Sequence, residues 1–238
     1  MQAMLFAAGL GTRLYPITKD RPKALAPFGN STLLAYNLEY LSRQGIKDFV
    51  INTHHFADKI NVYLEQNNFF GLNIKISHEI DLLDTAGGLA KAKDFFKDEN
   101  DILLYNVDVI SNIDIQVLYD FHRKNNALAT LAVRKRQTSR YLLFDNNNLL
   151  VGWRNKSTGE EKWCNNPIQN TIEYAFSGIH WVNKSIFNNL KLTKQSLIPF
   201  YLNEGSKNKI LAFDHSNDLW FDCGKPNSLS KAEISTFS

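Results

Sequence analysis

The sequence predicts an α/β domain in which helices cover both faces of a mixed, mostly parallel central sheet. Short apolar runs at residues 4–8, 49–51 and 102–105 have the length and continuity of buried strands. Between these runs, apolar residues recur at three- and four-residue spacing, as they do along one face of a helix. Alternating strands and helices are typical of parallel sheets, because the chain must cross back over the sheet before the next parallel strand begins.

The composition is that of a soluble globular protein, with 238 residues, 44% of them hydrophobic and 21% charged. The net charge is only +3 and the lysines are scattered, so we expect no nucleic-acid or membrane partner. No apolar run reaches transmembrane length, and the apolar start lacks the basic leader of a secretory signal. Two cysteines do not make a disulfide framework. We therefore expect a single cytoplasmic domain over residues 1–238.

The first half of the chain has the clearest helix and strand patterns. A helix is predicted to begin at Ser31 or Thr32, because either hydroxyl can cap its first turn, and to end at Gly45. The apolar spacing predicts further helices and strands. The predicted strands are 49–51, 73–77, 102–105 and 127–133, and the predicted helices are 56–64, 89–96 and 115–124.

The second half begins with a predicted hairpin over residues 141–153, whose turn is Asp-Asn-Asn-Asn. The polar residues 154–172 have little period and predict a mobile flap over the site. An alternating strand is predicted over 173–181. Helical turns at 190–203, a strand at 210–213 and a final helix after 226 complete the predicted elements.

The stretch from residue 4 to residue 27 carries the strongest functional pattern. The first strand ends at Gly9 and Gly11, whose backbone N–H groups can approach a ligand closely. Arg13 adds a fork of donors that fits phosphate oxygens, and Lys23 follows between two prolines. A Walker A loop is excluded because Gly-Lys-Ser/Thr is missing, and the dinucleotide fingerprint lacks its third glycine. The stretch predicts a site for a polyphosphate.

These residues resemble the signature of the sugar-1-phosphate nucleotidyltransferases: Ala7-Ala8-Gly9-Leu10-Gly11-Thr12-Arg13-Leu14, then Pro16, Thr18, Pro22-Lys23 and Pro27. Residues 106–109 and Trp220-Phe221-Asp222-Cys223-Gly224-Lys225-Pro226 extend the likeness, which spans nearly the whole chain. The segments around Tyr141, Trp153 and Gly178 look most like the branch of N-acetylmuramate-1-phosphate uridylyltransferases and heptose- or mannose-1-phosphate nucleotidyltransferases.

The resemblance implies a Rossmann-like three-layer domain of the nucleotide-diphospho-sugar transferase type. Residues 1–135 would form mainly the nucleotide-binding half and residues 136–238 mainly the sugar-binding half. We expect no C-terminal β-helix domain, because only a dozen residues follow Pro226.

The implied reaction is attack by a sugar-1-phosphate oxygen on the α-phosphorus of a nucleoside triphosphate, with Mg²⁺ as cofactor and pyrophosphate as leaving group. UTP is the expected nucleotide, from the branch resemblance. GTP or CTP, with mannose, heptose or phosphocholine acceptors, is the alternative. An inactive nucleotide-sugar-binding regulator is another, and a glycosyltransferase of similar architecture ranks low. The chain is expected to be a monomer or a homodimer.

The resemblance also assigns candidate residues to each role. Arg13, Lys23 and Asp108 would be catalytic, and Asp108 and Asp222 would hold the metal. The implied sugar contacts are Asn106, Glu173 and Gly178. The implied nucleotide contacts are Ala8, Gly9, Gly11, Thr12, Arg13, Lys23, Glu79, Thr85 and Gly87. A carboxylate can accept N–H groups of uracil, thymine or guanine, so Glu79 does not name the base.

The chain departs from the resembled pattern in two places. Val107 stands where the family usually has glycine, in Asn-Gly-Asp. The Glu-Lys-Pro that many relatives carry after the hairpin is missing, and Lys162 and Arg154 are only weak substitutes for it.

Overall fold

The computed structural model describes residues 1–96 and 100–237. The strands are β1 (Gln2–Phe6), β2 (Pro27–Phe28), β3 (Ser31–Thr32), β4 (Asp48–Thr53), β5 (Asn73–His78), β6 (Asp101–Asn106), β7 (Val109–Ser111), β8 (Ala129–Arg134), β9 (Arg140–Phe144), β10 (Leu150–Asn155), β11 (Glu160–Trp163), β12 (Ile172–Asn183), β13 (Ile210–Asp214) and β14 (Trp220–Asp222). The α-helices are α1 (Leu33–Arg43), α2 (Ala57–Gln66), α3 (Asp84–Lys91), α4 (Ile115–Asn125), α5 (Leu197–Glu204) and α6 (Pro226–Phe237). Short 3₁₀ turns lie at Thr12–Leu14, Lys23–Leu25, Asn68–Gly71, Lys93–Phe95 and Lys184–Asn188.

The central sheet is mixed, as predicted. Its strand order is β11-β10-β9-β12-β6-β1-β4-β5, with β8 also paired to β12 and β13 paired to β8. The ladder β6-β1-β4-β5 is parallel, and β12 joins it through an antiparallel pairing with β6. The carboxyl ends of β1, β4 and β6 therefore meet at one edge, which is where open α/β sheets bind ligands.

Alternate side chains of each central strand enter two separate cores. On β1, Ala3 and Leu5 pack with the apolar faces of α1, α2 and α4. Met4 and Phe6 pack on the other side, with α3 and α5. Two helical layers thus enclose the sheet, which confirms the three-layer α/β fold. Within residues 1–96 and 100–237, none of the helices combines the length and apolar character needed to cross a bilayer.

The predicted cap of the first helix is confirmed at Thr32, whose hydroxyl accepts a hydrogen bond from the backbone N–H of Ala35 at 3.2 Å. The predicted start of the third helix is wrong. This helix begins at Asp84 rather than at Leu89, so Gly87 lies inside it instead of before it. Glycine has low helix propensity, but the backbone of Gly87 packs against the carbonyl group of Thr193. This tertiary contact outweighs the low helix propensity of glycine.

Residues 154–172 do not form the predicted irregular flap, because they contain strand β11. This strand pairs antiparallel with β10, in the register Gly152↔Trp163. Its sequence, Glu-Glu-Lys-Trp, is mostly charged and exposed, which is how natural proteins protect an edge strand from further pairing. Such a strand has no apolar face, so periodicity alone does not detect it.

A fully buried histidine side chain lies in the core of the sheet. His180 on β12 is 1% exposed and packs against the rings of Phe176 and Tyr201. Neither of its ring nitrogens has a hydrogen-bond partner within the described residues. Burial, together with the nearby charge of His122, lowers the pKa of His180 to about 3. The folded chain therefore holds this imidazole neutral.

We predict that acidification destabilises the protein partly through His180. The unfolded chain takes up this proton below its ordinary pKa of about 6.5, whereas the folded chain does so only near pH 3. The contribution of His180 to the free energy of unfolding is therefore fully present above pH 6.5. Between pH 6.5 and pH 3 it falls by about 1.4 kcal/mol for each unit of pH. Urea unfolding at several pH values between 7 and 4 measures this effect. The free energy of unfolding should fall less steeply with decreasing pH in His180→Phe than in the wild type. The control His55→Phe, at an exposed position, should keep the wild-type slope.

Candidate active site

The loop after β1 is shaped by a left-handed turn at Gly11, where φ is +70°. A Cβ atom at this position would lie 3.0 Å from Cγ2 of Thr18, so both the conformation and the space require glycine. The hydroxyl of Thr18 donates to the carbonyl oxygen of Gly11 at 2.8 Å, and buried Leu14 anchors the 3₁₀ turn that follows. These contacts hold Arg13 at the carboxyl edge of the sheet.

Lys23 and Asp108 form the central ion pair of this edge. The Lys23 Nζ and Asp108 Oδ2 atoms are 2.7 Å apart, and the two side chains are only 16% and 10% exposed. Asp108 follows β6, while Lys23 lies in a 3₁₀ turn between buried Pro22 and Ala24. Removing one partner of such a pair leaves an uncompensated charge in a mostly buried place, which is costly. The two side chains therefore hold each other in position.

Asp222 reaches the same edge through the pairing of two short strands. β14 pairs antiparallel with β7, and Asp222 lies opposite Val109. The backbone N–H of Cys223 then donates to the carbonyl oxygen of Asp108 at 2.8 Å. Arg13 lies against this turn. The Nη2 atom of Arg13 is 2.9 Å from the position that a Cβ atom on Gly224 would take. The fold thus brings Arg13, Lys23, Asp108 and Asp222 together.

The two carboxylates suit a magnesium ion, because Mg²⁺ prefers oxygen ligands and commonly binds through one or two carboxylates plus substrate phosphates and water. Among residues 1–96 and 100–237, no group of three or more His, Cys, Asp and Glu side chains is arranged for a metal ion. A magnesium ion at Asp108 and Asp222 would therefore need phosphate oxygens to complete its coordination.

Cys223 is fully buried next to Asp222 in the chain, and burial is the main cause that raises the pKa of its thiol to about 12, so it is a packing residue.

A cavity of about 380 Å³ opens over the loop after β1. Six of the predicted nucleotide contacts line it, namely Ala8, Gly9, Arg13, Lys23, Glu79 and Thr85. Asn106 and Asp108 line it as well, together with Asn52, Asp84 and Lys194. Gly11, Thr12 and Gly87 are not among the lining residues of the described chain. Thr12 is exposed at the start of the 3₁₀ turn.

Asn52, which the sequence did not single out, links the floor of this cavity to its rim. Its side-chain oxygen accepts the N–H of Ala7 at 2.8 Å, and its Nδ2 donates to Glu79 Oε1 at 2.7 Å. The other oxygen of Glu79 accepts the N–H of Leu83 at 2.9 Å. Glu79 is fully buried, so its carboxylate orders the loop, and its contact with a base stays a prediction. The only sequence signal was a polar residue near the end of β4.

The amino end of α3 is closed by a segment from the second half of the chain, residues 193–197, which we call the clasp. The N–H groups of Ala86 and Gly87 both donate to the carbonyl oxygen of Gln195, at 2.9 and 3.2 Å. The hydroxyl of Thr85 accepts the N–H of Leu197 at 2.9 Å. The N–H of Gly87 is therefore already bonded within the protein, and its role as a nucleotide contact stays a prediction.

A second cavity, of about 500 Å³, lies beside the first. Its lining combines aromatic, aliphatic, hydroxyl and cationic side chains, and Asp222 is the one carboxylate that the described residues contribute to it. The side chains that define it are Arg136, Arg140, Tyr141, Trp153, Lys162, Phe176 and Asp222. Because Asp108 lines the first cavity and Asp222 the second, the β7–β14 pairing lies where the two cavities meet.

Two of the predicted sugar contacts meet at this junction. Gly178 has φ of +76°, and the register of β12 against β8 shifts between Phe176 and His180. A Cβ atom at Gly178 would lie 2.7 Å from Asn106 Nδ2, so glycine lets β12 pass close to the end of β6. The geometry places Asn106 beside Gly178, and contact of either with a sugar stays a prediction.

Glu173 is occupied by protein partners. Its carboxylate lies 2.7 Å from Arg154 Nη1 and 2.5 Å from Lys156 Nζ. Burial would raise the pKa of Glu173, but hydrogen bonds from Lys156 and Arg154 lower it overall. Arg154 also pairs with Glu161. Lys162, the other weak substitute for the missing tripeptide, pairs with Glu160 and lines the second cavity. A sugar contact by Glu173 stays a prediction.

Comparison with known proteins agrees with this geometry. A sequence profile described as Nucleotidyl transferase matches residues 2–236. This chain belongs to the nucleotidyl transferase family. The resemblance inferred from the motifs is thereby confirmed.

Relatives within this family carry more specific names. Mannose-1-phosphate guanyltransferase of Neurospora crassa is 29% identical over an alignment of 236 positions, which covers 95% of this chain and 61% of that protein. The chain thus spans about 61% of the length of this fungal relative. D-glycero-alpha-D-manno-heptose 1-phosphate guanylyltransferase of Campylobacter jejuni is also 29% identical, over 229 residues that cover 95% of this chain and 96% of that one. HddC from Yersinia pseudotuberculosis, solved with GMP-PN, superposes with a TM-score of 0.79 at 20% identity and covers 98% of each chain.

We predict that Gly87→Ala destabilises the protein through the clasp. The added Cβ atom would lie 2.3 Å from the carbonyl oxygen of Thr193, so α3 or the clasp must shift, at a cost of about 1–3 kcal/mol of unfolding free energy. The matched variant Gly9→Ala places its Cβ 3.8 Å from Lys23 Nζ and should stay within about 0.5 kcal/mol of wild type. Urea unfolding measures both. Equal stability of the two variants would contradict the role of the clasp.

Proposed function

We propose that this chain transfers a nucleotidyl group from a nucleoside triphosphate to a sugar-1-phosphate and releases pyrophosphate, with GTP as the nucleotide. The observation that carries the proposal is the meeting of Arg13, Lys23, Asp108 and Asp222 at the junction of two cavities. Two anionic substrates must be held side by side with their charges neutralised, and this junction offers cations and metal-binding carboxylates for that purpose.

The chemistry asks for alignment rather than for a general base, because a phosphate monoester is already a competent nucleophile. The acceptor oxygen forms a bond to the α-phosphorus while the bond from that phosphorus to the pyrophosphate oxygen breaks. Gly9 and Gly11 would present backbone N–H groups to the triphosphate, and Arg13 would hold the departing pyrophosphate. Lys23 has three N–H donors, so it can keep its bond to Asp108 and still donate to an α-phosphate oxygen.

Magnesium fits this proposal as the resident cofactor. Asp108 and Asp222 would hold the ion, which when bound neutralises phosphate charge and withdraws electrons from phosphorus. The N–H of Gly224 donates to Asp222 Oδ1 at 2.9 Å, and Lys23 Nζ donates to Asp108 Oδ2. One oxygen of each carboxylate is thus oriented by the protein, which leaves the other oxygen for the metal.

The expectation of UTP is replaced by GTP. The relatives from Neurospora crassa and Campylobacter jejuni are both named as guanylyltransferases, and neither name carries uridine. Their names also support a manno-configured sugar-1-phosphate as the acceptor, either mannose or a manno-heptose. CTP and phosphocholine have no such support.

The two halves of the chain have separate roles in this proposal. The first cavity is lined mainly by residues before 109, with Lys194 added from the clasp. The second is lined by residues between 136 and 202 and by Asp222. We therefore assign residues 1–135 mainly to the nucleotide and residues 136–238 mainly to the sugar.

A cytoplasmic location and a monomeric or homodimeric state stay predictions from the sequence.

Val107 gives no support to the alternative of an inactive regulator. Its side chain is fully buried in the core on the face of α1, α2 and α4. Its N–H donates to the carbonyl oxygen of Phe6, and its own carbonyl accepts Asn37 Nδ2 at 2.9 Å. The replacement of glycine by valine therefore adds no bulk to either cavity.

We predict that Asp222→Asn lowers the rate of magnesium-dependent pyrophosphate release by about 100-fold or more, because it removes a metal ligand's charge. The amide oxygen can still accept the N–H of Gly224, so folding should be retained. Asp120→Asn, the same change on the exposed face of α4, serves as the matched control. Wild-type rates for Asp222→Asn at saturating magnesium would refute the assignment of this metal ligand.

The choice of substrates is tested by a grid of GTP, UTP, CTP and dTTP against five acceptors. The acceptors are mannose-1-phosphate, D-glycero-α-D-manno-heptose 1-phosphate, N-acetylmuramate-1-phosphate, glucose-1-phosphate and phosphocholine. We expect the highest kcat/KM for GTP with a manno-configured acceptor. A preference for UTP would refute the guanosine assignment, and no pyrophosphate release from any pair would refute the proposed transfer.

A further inference from the structure

One arginine in the second cavity is held rigidly but makes few hydrogen bonds. Arg136 lies two residues beyond β8, and its guanidinium carbon is 4.7 Å from the centre of the Trp220 ring. The indole N–H of Trp220 donates to the carbonyl oxygen of Ser177 at 2.9 Å, which fixes the ring. A cation over an indole face is attracted by the ring, so the position of Arg136 is set by packing.

The donors of Arg136 are largely unused by the protein. A guanidinium has five N–H donors, but within residues 1–96 and 100–237 Arg136 uses one of them, in a 3.4 Å bond from Nη2 to the carbonyl oxygen of Phe176. Its Nε is buried with no hydrogen-bond partner within the described residues. In that part of the chain, no carboxylate lies within 4 Å of it, whereas Arg123 and Arg154 each pair with carboxylates at 2.8 Å or less.

A partly buried guanidinium without a carboxylate is costly for folding. Burial lowers the pKa of Arg136, and the charge of Asp222 opposes that effect. The protein thus keeps a desolvated cation in the same cavity as Asp222, the second proposed metal carboxylate. An anionic ligand would compensate this cost, and a purely structural role does not explain it.

We infer that Arg136 binds the phosphate group of the acceptor and so fixes the attacking oxygen beside Asp222. The inference rests on the proposed function, since it names the residue that holds the second substrate. A phosphomonoester matches the planar fork of a guanidinium, which can donate two parallel N–H groups to it. Tyr141, Trp153 and Phe176 line the same cavity and offer apolar faces to a sugar ring.

The two other cations of the cavity are less suited to this role. Lys162 Nζ lies 3.1 Å from a carboxylate oxygen of Glu160, which offsets its charge, and 5.6 Å from the centre of the Trp153 ring. Arg140 is exposed to solvent, where a single ion pair contributes little. Arg136 is therefore the anchor, and Arg140 provides a matched control of equal charge in the same cavity.

Steady-state kinetics with GTP and α-D-mannose 1-phosphate test the inference. Arg136→Gln should raise the KM for the acceptor by about 10- to 100-fold, because a charge-assisted hydrogen bond is lost. The KM for GTP should change by less than about twofold. Arg136→Lys keeps the charge but not the fork, so its acceptor KM should lie between those of wild type and Arg136→Gln. Arg140→Gln should raise the acceptor KM by less than about threefold.

Calorimetry separates failure of this inference from failure of the proposed function. Wild-type protein should bind α-D-mannose 1-phosphate more tightly than mannose, and Arg136→Gln should lose that difference while it still binds GTP. This outcome supports the inference even if no turnover is found. An unchanged preference for the phosphorylated sugar in Arg136→Gln overturns it, as does an equal loss of GTP affinity. Failure of the wild type to bind either the sugar phosphate or inorganic phosphate also overturns it.

Discussion

The pairing of β14 with β7 is the constraint on which the site depends. It places Asp222 opposite Val109 and lets the N–H of Cys223 bond the carbonyl oxygen of Asp108. Two carboxylates that are far apart in the sequence thereby reach one edge of the sheet. Lys23 and Asp108 lie outside both strands of this short ladder, whereas Asp222 belongs to it, so without the ladder the second cavity would have no carboxylate at the junction.

Two hydrogen-bond systems make the cavities act as one unit. Asn52 and Glu79 tie the loop after β1 to the loop before α3, so the floor and rim of the first cavity are fixed together. The clasp, residues 193–197, then bonds the amino end of α3 and carries Lys194 into the first cavity and Ser196 into the second. Because each bond joins different elements, movement of the clasp would alter both cavities together.

Motifs with strong local chemistry were predictable, and residues whose role depends on a distant partner were not. Gly9, Arg13, Lys23 and Asp108 follow strands whose apolar runs are visible in the sequence, and all four line the first cavity. Gly87 had the pattern of a ligand-binding turn, and its contact with a nucleotide stays a prediction, but no local pattern showed that the carbonyl oxygen of Thr193 approaches it closely. Arg136 had no pattern, and Asn52 had only its place near the end of β4. Their neighbours, Trp220 and Glu79, come from other parts of the chain.

The sequence by itself determined the α/β class, the parallel core strands and the family signature, because these depend on short-range periodicity and on residues close together in the chain. It also singled out Asp108 and Asp222, which the fold brings to one edge of the sheet and which we propose as metal ligands. Only the tertiary structure decided which polar groups are already bonded, such as the N–H donor of Gly87 and the carboxylate acceptor of Glu173, and which donors remain available, as at Arg136. Hydrogen bonding is settled by contacts between residues distant in sequence, and no local pattern records those contacts.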